Sequence, residues 1–146
     1  MAVFLNNTAG FKIQNGASYV DLSDHVKSIS ISRNFDELEV TAMGDTGHKF
    51  VKGLESSQIT VSFLNDDASA SVMQTLNALY GTSAAFKIVQ VQSGGAATVS
   101  ATNPLYSGLV LVNKLTPVNG AVGDISTQDI TFTVNGAITV DPAGTW

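Results

Sequence analysis

The sequence predicts a mainly β protein: a β-sandwich or partial barrel with one α-helix packed on it and a long hairpin loop. Three observations carry this. Short segments alternate apolar and polar residues, as in Ile59, Val61 and Phe63 against Gln58, Thr60 and Ser62. Gly- and Asn-rich turn signals separate these segments. Only one stretch has a convincing helical stripe: Val72, Leu76 and Leu79, with Met73 and Tyr80 beside it.

Taken in order, Val3 to Leu5 and Phe11 to Gln14 are short strand candidates with a turn at Asn6 to Gly10 between them. Asn15-Gly16 is a strong hairpin dipeptide, and Tyr19-Val20 returns from it. Val26 to Arg33 alternates Ile29 and Ile31 with Ser28, Ser30 and Ser32, so one face is buried and the other hydroxylic. A turn at Asn34 to Asp36 leads into a strand that includes Leu38 and Val40. Gln58 to Phe63 is the strand that follows the long loop.

Asn65-Asp66-Asp67 then opens the helix, because these side chains can accept hydrogen bonds from its first-turn N–H groups and complement its dipole. Gly81 ends it as a C′ glycine. Ala85 to Gln92 is a strand, Thr98 to Ala101 a weak one, and Leu105 to Leu115 a long central one with apolar residues on both faces. Thr116 to Gly123 is turn-rich. Asp129 to Val134 alternates cleanly, and Asn135-Gly136 turns the chain into Ala137 to Val140. The terminal Trp146 would need a partner surface.

The segment from Thr41 to Leu54 is the least ordinary. It far exceeds the roughly 2–5 residues of a tight hairpin turn. Gly44, Gly47 and Gly53 let it bend, yet Met43, Phe50, Val51 and Leu54 are large and apolar. A solvated loop on a monomer does not keep such groups exposed together. Either it folds onto its own core or another chain covers it, and the second reading is favoured. The candidate inter-subunit site is therefore Met43, Gly44, Asp45, Thr46, Gly47, His48, Lys49, Phe50, Val51, Lys52, Gly53 and Leu54.

Composition bounds the function. The 146 residues fit one domain, 1–146, with a sizeable core. Charged residues are 13%, against about 25% in a typical domain, which suggests that much of the surface does not face free water. The net charge of −5 argues against gripping nucleic acid through its phosphates. No cysteine is present, so no disulfide framework or thiolate metal site is available. Neither a secretory signal nor an apolar run of membrane-spanning length is expected.

No catalytic, metal or cofactor site is read. His25 and His48 are the only histidines, and neither has a second ligand at metal-binding spacing. No serine lies in a G-x-S-x-G elbow. Asp45-Thr46-Gly47 matches the Asp-Thr-Gly of aspartic proteases, but the second catalytic Asp and the bilobal body are missing. Asp66-Asp67 is explained by helix capping. Asp36, Glu37 and Glu39 read either as a solvated edge strand, where charge opposes aggregation, or as an acidic surface facing polyanionic cargo.

Taken together, Val20-Asp-Leu-Ser-Asp24, Ile29-Ser-Ile-Ser-Arg33, the run Glu37 to Leu54, Ile59-Thr-Val-Ser-Phe63 and Ile130-Thr-Phe-Thr-Val134 resemble the major tail tube proteins of long-tailed, siphovirus-type bacteriophages. The resemblance covers nearly the whole chain at the level of pattern. It implies a structural virion protein, made in the host cytoplasm, that self-assembles into stacked, hexameric rings. Double-stranded DNA would pass through the resulting tube without specific binding. Its implied partners are copies of itself and the tape-measure, tail terminator and tail-tip proteins, with no membrane and no cofactor. The long hairpin loop would reach a neighbouring subunit, and Asp36, Glu37 and Glu39 would face the lumen. A tube subunit of a contractile tail or type VI secretion-like system is the alternative. A surface- or carbohydrate-binding β-sandwich module is a further one, disfavoured because Tyr106 and Trp146 are too scattered to form a binding cluster.

Overall fold

A computed structural model describes residues 7–146, so the strand expected at Val3 to Leu5 lies outside the described residues. The strands are β1 (Gly10–Asn15), β2 (Ser18–Asp21), β3 (Val26–Ser32), β4 (Phe35–Glu39), β5 (Phe50–Glu55) and β6 (Gln58–Leu64). The one α-helix among the described residues, α1 (Val72–Leu79), precedes β7 (Ser83–Val89), β8 (Leu105–Leu111), β9 (Thr127–Val134) and β10 (Thr139–Asp141). All pairings are antiparallel. One sheet runs β2-β1-β7-β8-β9-β6-β3, with β10 also on β8, and β4-β5 forms a two-stranded sheet by itself.

The large sheet folds over at β8, the central strand as expected. β8 pairs with β9 only through Val110↔Val134 and Leu111↔Thr133, while its first residues pair with β10. The split lets β2-β1-β7-β8-β10 face β3-β6-β9 across one core. Phe11 on β1 shows the closure: its ring stacks on Phe132 of β9 at 6.3 Å and meets Phe63 of β6 edge-on at 5.8 Å. All three are fully buried, with Ile13, Ile59, Val61, Phe86 and Ile130 around them. The alternation read in β6 and β9 is therefore the core-facing set. Helix α1 buries Val72, Met73, Thr75, Leu76 and Leu79, and Leu76 joins the same cluster.

The turn chemistry behaves as its residues require. Gly16, Gly81 and Gly136 all have positive φ, at the two Asn-Gly turns and at the helix C′ position. Trp146, expected to need a partner surface, packs instead on its own chain: its indole N–H donates to the Gly95 carbonyl at 3.0 Å and Lys12 Nζ sits 4.3 Å over the ring.

Several sequence expectations are corrected. The helix begins at Val72 after Ser71, and no side chain caps it. Asp66 instead organises the preceding turn: its carboxylate accepts from the Ala68 N–H at 3.0 Å and the Ser71 hydroxyl at 2.7 Å. A carboxylate that serves a turn this well is not released to cap a helix one turn later. Thr98 to Ala101 forms no strand, because Asn103 folds back, its amide donating to the carbonyls of Val91 and Thr98. Phe35 and Asp36, expected in a turn, open β4. Phe50 to Leu54, expected within the loop, belong to β5.

Candidate assembly surface

The long loop is thus a shorter one, residues 40–49, carried on a two-stranded arm. Registers Glu37↔Lys52, Leu38↔Val51 and Glu39↔Phe50 place Glu37, Glu39, Phe50 and Lys52 on one face and Leu38 with Val51 on the other. A register shift between Phe35 and Glu37 marks a bulge near Gly53. A Cβ at Gly53 would stand 2.9 Å from both the Asp36 carbonyl oxygen and its Cβ, so the strands close there only because residue 53 has no side chain.

The arm buries almost nothing in its own body. Every residue of β4 is exposed, and Phe35, Leu38, Val40, Phe50 and Val51 are each about half-exposed. Leu54 is 80% exposed and Met43 fully so. Isolated two-stranded hairpins are at best marginal in water. This one nevertheless presents apolar side chains on both faces.

Its tip is held by side chains. The Val40 N–H donates to the Lys49 carbonyl at 2.8 Å, and the Lys49 N–H to Thr41 Oγ1 at 3.0 Å. Asp45 Oδ2 accepts from the Ala42 N–H at 2.8 Å, and Oδ1 takes an ion pair from Lys49 Nζ. Gly44, at φ +94°, supplies the reversal. His48 Nδ1 lies 2.6 Å from Glu39 Oε1, which also accepts from the Thr41 hydroxyl at 2.9 Å. His48 first and Thr41 second hold the Glu39 carboxyl below its ordinary range, as Lys49 and the Ala42 N–H do for Asp45.

The root is held by a residue that sequence reasoning missed. Glu55 ends β5 with its carboxylate turned back to the body, where it accepts from Ser57 Oγ at 2.8 Å, Arg33 Nε at 3.3 Å and the Ile138 N–H at 3.4 Å. Ser57, ahead of Arg33 and Ile138, lowers the Glu55 pKa. Arg33 also reaches the Ile138 carbonyl at 3.3 Å, and the Ser56 N–H donates to Asn34 O at 2.7 Å. These bonds join the arm to the β9–β10 turn. A Glu two residues before a Ser is too common a pattern to have revealed them.

Of the acidic residues singled out, Asp36, Glu37 and Glu39 are all exposed. Strand alternation brings Glu37 and Glu39 together and turns Asp36 to the opposite face. His25 Nε2 lies 3.0 Å from Asp66 Oδ2, so each of the two imidazoles pairs with a carboxylate of its own. No helix among the described residues is long and apolar enough to cross a membrane.

A second exposed apolar patch lies on the segment between β8 and β9. Val118 and Ile125 are 93% and 76% exposed and Val122 fully so, although the base of the loop is fixed. Gln128 Oε1 accepts from the Thr116 N–H at 3.1 Å, Asn119 donates to the Thr127 carbonyl at 2.8 Å, and Asn65 donates to Ser126 Oγ at 2.7 Å. Turn-rich composition was read in the sequence here, but not the outward aim of these three side chains.

No protein-family model and no curated protein matches the chain. Among solved structures, a chain from the "virion of native gene transfer agent (GTA) particle" is similar with a TM-score of 0.67 at 13% identity, over 89% of this chain and 94% of that one. At that identity the likeness is one of fold: this chain is folded in the manner of a gene transfer agent virion subunit.

Proposed function

We propose that the protein is a structural, non-catalytic subunit of a phage-like virion, and specifically of its tail tube. The observation that carries this reading is the β4–β5 arm, which exposes Phe35, Leu38, Met43, Phe50, Val51 and Leu54 from a two-stranded sheet with no cover from its own body. A neighbouring copy covers it. The whole chain acts as one tube domain, and residues Met43 to Leu54 supply the contact, with Phe50 and Val51 as its anchors. A contact between unlike patches that closes around a ring and repeats along an axis gives a tube.

In this reading the low overall charge suits a chain buried among its copies, and the fold shared with a virion chain supports the class. Rings stack around a bore that carries double-stranded DNA. The acidic residues of β4, Asp36, Glu37 and Glu39, front the bore from the rim of the contact that Phe50 and Val51 anchor. Each phosphate contact with Lys or Arg would add affinity and slow passage, so an acidic wall keeps DNA moving. Tape-measure, terminator and tip proteins complete the tail.

The test is negative-stain electron microscopy of the concentrated protein, with a mass measurement on the same sample. Rings or hollow tubes are the expected result, and a monodisperse monomer counts against self-assembly.

A further inference from the structure

The outward face of β1, β2 and β7 carries a cluster that assembly through the arm does not use. Phe11, Ile13, Phe86 and Ile88 point into the core, so Lys12 and Lys87, which alternate with them, point out. These two lysines stand directly opposite one another across β1 and β7. Lys12 Nζ lies 4.3 Å over the Trp146 ring, and Lys87 Nζ lies 4.4 Å over the Tyr19 ring. Lys87 Nζ also donates to the Thr145 carbonyl at 2.8 Å. Two aromatic rings from opposite ends of the chain are thus gathered around two ammonium groups. Beside them opens a hollow of about 370 Å³, lined in part by Lys12, Gly95, Ala96, Ala97, Gly144 and Trp146.

Like charges directly opposite in a sheet destabilise it. The chain has 12 acidic residues against 7 Lys and Arg, so neutralising partners are plentiful. None is supplied: neither Lys12 nor Lys87 takes part in an ion pair among the described residues. Asp21, across from Lys12 on β2, turns its Oδ1 to the Ser23 N–H at 2.9 Å. Asp141, next to Gly144, accepts the Ala143 N–H at 2.9 Å. Both carboxylates serve their own turns, and the paired lysines are left for an anion from outside.

We infer that this cluster binds an acidic polysaccharide, a polymer of sugars that bear carboxylates. One sugar carboxylate bridges the two ammonium groups in charge-assisted hydrogen bonds. The sugar ring lies along Trp146 and Tyr19, whose flat apolar faces end in polar edges. The small side chains at Gly95, Ala96, Ala97 and Gly144 leave the room beside Trp146 that such a ring needs, and the hollow is of small-ligand size. The indole bond to Gly95 fixes the Trp146 ring before any ligand arrives. Nucleic acid fits less well, because a chain of net charge −5 repels a polymer with a phosphate at every unit. The site belongs to the body, so it stands whether or not the arm joins copies into a tube.

The test is isothermal titration calorimetry of the full chain at low salt with an oligomer of galacturonic acid. Neutral galactose oligomers, polyglutamate and a single-stranded oligonucleotide serve as comparisons. Saturable binding of the uronate oligomer alone is expected. Lys12→Gln and Lys87→Gln should each weaken it about fivefold. Tyr19→Ala and Trp146→Leu should weaken it too, although they leave the charge unchanged, with far-UV circular dichroism unaltered in all four variants. The inference is overturned if the uronate oligomer does not bind, which would leave the lysine–aromatic contacts a structural role only. It is overturned equally if polyglutamate or the oligonucleotide binds as tightly, which would make the patch a site for anions of any kind. Full affinity in the Lys12→Gln/Lys87→Gln double variant would place the ligand elsewhere and overturn it as well.

Discussion

Arg33 Nε donates to Glu55 Oε1 at 3.3 Å, across the root of the β4–β5 arm and between the strands that enter and leave it. Arg33 follows β3 directly and Glu55 ends β5, so this pair and the Ile138 contacts set the angle at which the arm leaves the body.

Glu55→Gln keeps the size of the side chain and removes its charge. The amide can still meet Ser57 but offers a weaker acceptor to Arg33. The expected outcome is a body of unchanged melting temperature with faster amide exchange in residues 35–55, read by hydrogen exchange with mass spectrometry. Equal protection in both proteins would show that the arm is aimed by something else.

Gly53→Ala should separate the two arm strands. The added Cβ would meet the Asp36 carbonyl at 2.9 Å, and backbone yields less readily than a flexible side chain. A local cost of about 1–3 kcal/mol is expected from such overpacking. Loss of the Glu37–Lys52 and Leu38–Val51 cross-strand nuclear Overhauser effects, with the core signals retained, is the measurement that reports it.

Glu39, Asp45 and Glu55 all have carboxyls lowered by their partners. A lowered folded-state value means that the contribution to stability is complete above the ordinary carboxyl range and is lost as pH falls through the folded value. The arm should therefore be ordered at pH 6 and lose order below about pH 4. His48→Ala should move the Glu39 titration, followed by carbon-13 NMR, upward, because His48 is the largest cause of its depression.

Phe11→Ala tests the body. Phe11 is fully buried between Phe63 and Phe132, and its removal should cost about 3–5 kcal/mol in denaturant unfolding. Phe50→Asp, on a half-exposed side chain of the arm, should leave that unfolding curve within about 0.5 kcal/mol and abolish assembly. Assembly that survives the Phe50 change would remove Phe50 from the contact.

The body was legible because its strands obey one period and one face. Ile59, Val61 and Phe63, and Ile130, Phe132 and Val134, point inward as their alternation requires. The arm was legible as a place but not as a structure. Phe50-Val-Lys-Gly-Leu-Glu55 has little alternation, since both its faces await cover, so period-2 reading left it in the loop. Asp66 misled for a different reason: an Asp before a helical stripe can cap the helix or brace the turn in front of it, and local sequence does not distinguish the two. Glu55 and the Val118–Ile125 loop depend on contacts between distant parts of the chain, which no window of sequence contains.

Trp146, the chain's one tryptophan, is fastened to the body and not to the arm: its indole bonds to Gly95 and its ring lies against Gly10 and Lys12. Its fluorescence is thus an optical gauge of β1 and its surroundings, uncontaminated by any other indole. Excited at the red edge of the absorption band, it can report unfolding of the body in the same cuvette where light scattering follows association through the arm. The two processes, which in many assembling proteins share one signal, are here separable by colour.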